Sequence, residues 1–209
     1  MSAGAAERAH AILAEARAII TGSHIVYTSG KHGSAYVNKD AVYPNTARVA
    51  ELCRFLAEAA VPYRPEIVCG PATGGIILAQ WTGHHLGVPA VYAEKAPEGG
   101  MALRRGYDKL VAGKRVLVVE DVLNTGGSIK DTIAAVRRAG GEVVAAAALV
   151  NRGGVVAGDV GAPALVALLD VVLEAWDAAA CPLCRDGVPV NTDVGKGREF
   201  LAQRAARAS

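Results

Sequence analysis

Apolar residues recur at helical spacing from Ala5 to Ile20 (Ala9, Ile12, Leu13, Ala16, Ile19, Ile20), which predicts a first helix closed by Thr21-Gly22. The pattern then breaks. Residues 24–45 are rich in Ser, Gly, Lys and Tyr and predict short strands and turns, after which Thr46 predicts the cap of a helix running to about Ala60. From Glu66 onward short apolar runs alternate with helical spacing. Strands are predicted over 66–69, 88–93, 115–119, 142–150 and 164–169, with helices over 75–86 and 129–138. This alternation predicts an α/β fold, a central parallel sheet flanked on both faces by helices. One connection departs from it: 95–113 carries Pro97-Glu-Gly-Gly100 and Leu103-Arg104-Arg105-Gly106, a pattern for a hairpin or mobile loop.

A length of 209 residues suits one α/β domain with an appendage, so 1–209 is read as a single domain. Hydrophobic content of 52% with only 5% aromatic requires a core of Ala, Val, Leu and Ile, as buried parallel sheets have. The net charge of +2 comes from dispersed basic residues with no aromatic platform, which argues against a nucleic-acid partner. Without a basic segment leading into an apolar one at the N-terminus, and without an apolar run long enough to span a bilayer, no membrane partner is expected and the location expected is cytoplasmic. The four cysteines, Cys53, Cys69, Cys181 and Cys184, are accordingly read as thiols.

Candidate chemistry concentrates after the run 115–119, whose continuous apolar character marks a strand covered on both faces. Glu120 and Asp121 follow it at the carboxyl end, where open α/β sheets bind ligands. Asn124-Thr125-Gly126-Gly127-Ser128 then opens a helix, so backbone amides and the helix dipole can close on an anion of phosphate size. An isolated Glu-Asp pair is ordinarily a solvated surface feature; the order strand, acids, loop, helix is what sets this one apart. The run lacks the Gly-Lys-Ser/Thr of a Walker loop and places its glycines after the acids, unlike a dinucleotide fingerprint. A second strand-to-helix turn, Gly70-Pro71-Ala72-Thr73-Gly74-Gly75, offers either another anion nest or close helix packing. Arg152 ends a predicted strand and carries a fork that fits a carboxylate, or else points to solvent. Cys181 and Cys184 have the spacing of half a zinc site, but a closed site needs four ligands and no second close pair exists. The tail turn is therefore read as carrying incidental thiols, with a site shared across a dimer as the other possibility. His24, His84 and His85 are read as structural.

The run 116–128 resembles the phosphoribosyl-diphosphate (PRPP) signature of the type I phosphoribosyltransferases. Tyr27-Thr28-Ser29-Gly30-Lys31 through Asn38 resembles the hood of the orotate phosphoribosyltransferases, while 101–107 and Cys181-Pro-Leu-Cys184 resemble the branch of them first associated with Thermus. The resemblance covers about Thr21 to Pro189. It implies a hood made mainly of 21–45 plus the tail 170–209, around a core of about 46–169. It also implies that Glu120 and Asp121 act catalytically beneath the ribose, and that Asn124, Thr125, Gly126, Gly127 and Ser128 hold the 5′-phosphate. Ala72, Thr73 and Gly74 would hold the pyrophosphate with Lys95 and Arg104 or Arg105, while Lys31, Asn124 and Arg152 meet the orotate. Mg²⁺, carried mainly by PRPP and water rather than by a protein cage, is the implied cofactor, and a homodimer the implied assembly. Better-studied relatives carry an Arg-Lys-x-x-Lys-x-His run in the mobile loop; Ala93-Glu94-Lys95-Ala96-Pro97-Glu98 keeps one lysine of it. A phosphoribosyltransferase for a purine or other base and a non-catalytic PRPP-sensing regulator stand as alternatives.

Overall fold

A computed structural model describes residues 3–171 and 173–208; Met1, Ser2, Val172 and Ser209, the last two within the expected tail, lie outside them. The chain divides into two units, Met1–Ile12 with Asn45–Val171, and Leu13–Pro44 with Val172–Ser209.

The first unit holds a six-stranded sheet built from β3 (Ile67–Pro71), β4 (Ala90–Lys95), β5 (Met101–Ala102), β6 (Arg115–Leu123), β7 (Glu142–Asn151) and β8 (Leu165–Asp170) in the order β5-β4-β3-β6-β7-β8. All neighbours pair parallel except β5, which runs antiparallel to β4. The predicted α/β class and sheet are therefore present. Helix α2 (Thr46–Ala60) packs on α3 (Gly74–Leu86) and on β7 and β8, while α5 (Gly127–Arg138) packs on β3, β6 and β7. Successive strand residues feed opposite sides of the sheet. Val116 and Val118 join Ile129, Ile133 and Val136 of α5 in one buried cluster. Leu117 and Val119 are fully buried as well, so β6 is covered on both faces, each such side chain contributing ~1.5–3 kcal/mol. Short helices α4 (Tyr107–Val111) and α6 (Ala157–Val160) complete the unit.

The second unit pairs β1 (Ile19–Val26) with β2 (His32–Val37) as an antiparallel hairpin and adds α7 (Pro182–Arg185) and α8 (Gly197–Ala208) from the tail. Helix α1 (Ala3–Glu15) precedes the hairpin.

Several boundaries differ from expectation for identifiable reasons. The first helix stops at Glu15 because Arg17 takes a left-handed φ of 52°, so Ile19 and Ile20 begin β1 instead of ending the helix. The cap of α2 is Asn45, whose side chain accepts from the Arg48 amide, and Thr46 is the first helical residue. Strand β6 continues four residues past Val119 and takes in both acids. The 95–113 segment forms the hairpin β4–β5, closed by bonds from the Ala96 amide to the Gly100 carbonyl and from the Gly99 amide to the Ala96 carbonyl.

Candidate active site

Because β3, β4, β6 and β7 are parallel, their carboxyl ends share one edge of the sheet. Four of the residue groups singled out in the sequence arrive there: Lys95 at the end of β4, the 71–75 turn after β3, Glu120 to Ser128 on and after β6, and Arg152 after β7. The cavity at this edge measures about 170 Å³ and is lined by Glu120 and by Val122 through Ile129.

The acid pair is buried, Glu120 at 7% and Asp121 at 3% exposure. Buried carboxylates need donors, and the strand supplies them: the Asp121 amide donates to Glu120 Oε1 at 3.1 Å and the Val122 amide to Asp121 Oδ1 at 2.7 Å. Two carboxyl groups are thus held by strand amides in low dielectric at the end of β6, Glu120 lining the cavity and Asp121 following it in the strand, where any charge they carry acts more strongly than it would in water.

The loop beyond them is shaped by backbone. Gly126 caps α5 with a φ of 74° and no side-chain bond, so the first amides of the helix are left to face the cavity. A Cβ there would also meet Val160 Cγ1 at 2.7 Å. Asn124, Thr125, Gly127 and Ser128 are exposed around it, and the Ser128 carbonyl accepts from Thr132 Oγ1 at 2.8 Å. A tie to the neighbouring strand fixes the loop's position: the Arg152 and Gly153 amides both donate to the Leu123 carbonyl, at 2.8 and 3.0 Å. Arg152, half-buried, therefore stands beside Asn124.

The 71–75 turn shows both features considered for it. Gly70 and Gly75 touch so closely that a Cβ on Gly70 would come within 2.1 Å of the Gly75 carbonyl oxygen, which is tight helix-to-strand packing. Thr73, exposed, begins α3 without a side-chain cap, and the Ala72–Thr73 peptide is cis. Ala72 and Gly74 are half-buried next to it.

The remaining candidates are more dispersed. Lys95 is exposed at the hairpin's start. Arg104 and Arg105 lie on the returning limb, beside β4 instead of at the hairpin's tip. Arg105 pairs with Glu94 Oε1 at 3.1 Å and lies over the Tyr92 ring at 5.9 Å, and the Glu94 carboxylate raises its already high pKa. Lys31 lies in the second unit at the β1–β2 turn, with its ammonium 3.7 Å from Asp177. His85 Nε2 donates to the Ala50 carbonyl at 2.8 Å, a packing role. Burial pushes the Cys53 and Cys69 thiols up to about 12, which keeps them protonated and unreactive.

Sequence reading missed Asn151 and Gly153. The buried Asn151 amide clamps Val155 by two bonds, donating to its carbonyl and accepting from its amide, each at 3.0 Å. Gly153 approaches Asn124 so closely that a Cβ would lie 1.6 Å from its carbonyl oxygen. The paired Gly153-Gly154 directly after a strand was the available signal.

Comparison with known proteins agrees with this geometry. The phosphoribosyl transferase domain family matches residues 38–157, which contain every strand-end group named above. An orotate phosphoribosyltransferase of Caldanaerobacter subterraneus subsp. tengcongensis is 40% identical over 175 residues, 82% of this chain and 88% of the relative. One of Caldicellulosiruptor bescii is 41% identical over 170 residues, 80% of this chain and 86% of the relative. The orotate phosphoribosyltransferase of Mycobacterium tuberculosis H37Rv in complex with PRPP superposes with a TM-score of 0.62 at 26% identity, covering 80% of this chain and 96% of that one. The enzyme from Aeropyrum pernix does so at 0.65 and 25%, covering 77% and 92%. With a sheet edge that gathers buried acids and an amide-lined loop, and with relatives alike over four-fifths of its length, the chain belongs to the phosphoribosyltransferase family.

Proposed function

We propose that the chain is an orotate phosphoribosyltransferase, transferring the 5-phosphoribosyl group of PRPP to orotate in the cytoplasm as a homodimer. The C1–oxygen bond to the diphosphate breaks, the bond from C1 to the pyrimidine N1 forms, and the N1 proton passes to solvent, giving orotidine 5′-monophosphate and pyrophosphate. One observation carries the reading: in a chain about 40% identical to relatives of that name, two buried carboxylates stand directly before an amide-lined loop at the carboxyl edge of the sheet.

The phosphate loop anchors the sugar at one end, its amides and the α5 dipole facing the 5′-phosphate. Departure of the diphosphate leaves positive charge on the ribose ring, and Glu120 and Asp121 offer fixed negative charge that is favourable only as that charge grows. Ala72, Thr73 and Gly74, with Lys95, face the departing diphosphate from the neighbouring strand end. The donor set suits a Mg²⁺ ion that arrives with its phosphates, since among the described residues the one cluster of three or more metal-capable side chains is elsewhere in the chain. When bound, Mg²⁺ neutralises the leaving group. Arg152 presents a bidentate fork to the orotate carboxylate.

The test is pyrophosphate release from PRPP with orotate, uracil, adenine, hypoxanthine and xanthine in turn. Turnover with orotate alone is expected. Turnover with a purine and none with orotate, or binding of PRPP with no turnover on any base, overturns the assignment. In the same assay Arg152→Ala is expected to raise the orotate KM about 10- to 100-fold and leave the PRPP KM nearly unchanged, as loss of a charge-assisted bidentate pair requires. Movement of both constants together would make Arg152 structural.

The β4–β5 hairpin is proposed to close over PRPP and bring Arg104 or Arg105 to the pyrophosphate, with Gly99, Gly100 and Gly106, all at positive φ, as hinges. Closure must break the exposed Arg105–Glu94 pair, a small cost for a surface ion pair. The Arg104→Ala/Arg105→Ala protein is expected to lose most activity. If the hairpin acts across the dimer, mixing this protein with inactive Asp121→Asn protein restores one competent site per mixed dimer. Full activity in the double arginine variant would remove the hairpin from catalysis.

A further inference from the structure

The second unit contains a group of side chains that the reaction does not use. His24 lies on β1 and His32 on β2, and the hairpin register, which sets Val26 opposite His32 and Ile25 opposite Gly33, makes the two histidines diagonal neighbours on one face. The tail brings Cys181 and Cys184 onto them. His24 Nε2 lies 2.8 Å from His32 Nδ1, Cys184 Sγ lies 3.3 Å from His32 Nδ1 and 3.6 Å from His24 Nε2, and Cys181 Sγ lies 3.6 Å from His24 Nε2. All four ligand atoms fall within 4.8 Å of one another, with His24, His32 and Cys181 buried and Cys184 partly so.

We propose that His24, His32, Cys181 and Cys184 form a structural zinc site that fastens the C-terminal tail to the β1–β2 hairpin. Tetrahedral zinc, with Zn–N of about 2.0–2.1 Å and Zn–S of about 2.3 Å, places its ligand atoms about 3.4 Å (N to N), 3.6 Å (N to S) and 3.8 Å (S to S) apart. The two nitrogen-to-sulfur separations of 3.6 Å already match, while the 2.8 Å between the ring nitrogens and the 3.3 Å from Cys184 Sγ to His32 Nδ1 must widen by about 0.6 and 0.3 Å. The donors are the two thiolates and two imidazoles that zinc favours, and four protein ligands leave no open position for chemistry.

Surrounding bonds orient His24 and the cysteine turn as such a site requires. His24 Nδ1 donates to the Val188 carbonyl at 2.7 Å, which fixes the tautomer and leaves the Nε2 lone pair facing the cluster. Val188 is itself held by the turn that carries the cysteines: its amide donates to the Leu183 carbonyl at 2.9 Å, and the Arg185 amide to the Cys181 carbonyl at 3.2 Å. His32 turns its Nδ1 to the cluster, and its ring is positioned by packing edge-on against Phe200 at 4.7 Å between centroids and not by a bond at Nε2, which is buried without a hydrogen-bond partner. Two imidazoles and two thiols buried together satisfy one another poorly, whereas an ion would engage all four. Binding displaces one proton from each thiol to solvent. The outcome is a crosslink between segments some 150 residues apart in a unit with few large buried side chains of its own, where metals commonly replace core.

The chain's own chemistry provides the measurement. Full-length protein purified from zinc-supplemented cells without chelator is expected to hold about one zinc ion per chain by elemental analysis, and Cys181→Ser/Cys184→Ser protein less than about a tenth of that. Wild-type protein stripped with a chelator under reducing conditions and titrated with Co²⁺ is expected to develop the intense visible bands of tetrahedral cobalt, together with a thiolate charge-transfer band in the near ultraviolet. His24→Gln is expected to weaken cobalt binding at least 10-fold. The cobalt titration needs only the wild-type chain, so it decides the matter even if the variants are insoluble. Protein that carries no zinc and gives no tetrahedral cobalt spectrum overturns the site, as does a Cys181–Cys184 disulfide in freshly isolated material. None of these readouts depends on which base the enzyme accepts.

Discussion

Asp121→Asn is expected to lower turnover at saturating substrates by about 100-fold or more while PRPP affinity changes only a few-fold. The substitution is nearly isosteric, and its carbonyl oxygen can still accept from the Val122 amide as Asp121 Oδ1 does at 2.7 Å. What disappears is the capacity to carry negative charge, in a site where Asp121 is 3% exposed and water screens little. Because the ribose becomes cationic only on the way to products, the loss appears in the transition state and spares the ground state. Steady-state kinetics combined with PRPP binding by calorimetry separates the two. An unchanged kcat would remove the charge-stabilising role, and a parallel collapse of PRPP affinity would make Asp121 a ground-state contact.

Gly153→Ala is expected to raise the PRPP KM at least 10-fold and to lower the thermal midpoint by several degrees. A methyl group at this position would sit 1.6 Å from the Asn124 carbonyl oxygen, and that neighbour is backbone, unable to swing aside as a side chain would. Either the phosphate loop or the turn after β7 must move. Overpacking of this kind costs ~1–3 kcal/mol, about 2–4 °C per kcal/mol in a chain of this size. Gly154→Ala is the control: Gly154 has a φ of 63° but open space around its Cβ, so it carries the backbone strain without the collision. Gly153 itself is not at positive φ, so an effect of Gly153→Ala no larger than that of Gly154→Ala would remove the collision with the Asn124 carbonyl as its cause.

The sequence made the carboxyl edge of the sheet legible because its elements are long and their patterns pure. The apolar run into Glu120-Asp121 and the glycine-marked helix start each carry a local cause that tertiary context did not override. Ile19 and Ile20 continued the helical spacing of α1 perfectly well, and only the left-handed turn at Arg17 sends them into a strand. Nothing in a 3.6-residue period reports such a turn. The acids were placed beyond their strand because strand prediction followed apolar character, whereas β6 continues through polar residues by pairing with β7 out to Leu123 and Asn151. The metal-capable cluster was invisible for a further reason: its second ligand pair consists of residues eight apart on two paired strands, brought to Cys181 and Cys184 by a fold that no spacing in the chain encodes. A search for close pairs of ligands finds one half of it only.

The Leu123 carbonyl, which accepts from both Arg152 and Gly153, constrains how this enzyme could be redesigned. The segment proposed to read the base and the loop proposed to grip the phosphate hang from one oxygen atom, so neither is a separable module. Replacing 152–156 with a stretch taken from an enzyme for another base would shift the phosphate grip along with the base preference, and selection for a new base would have to work through substitutions that leave both amide bonds and the bare Gly153 in place.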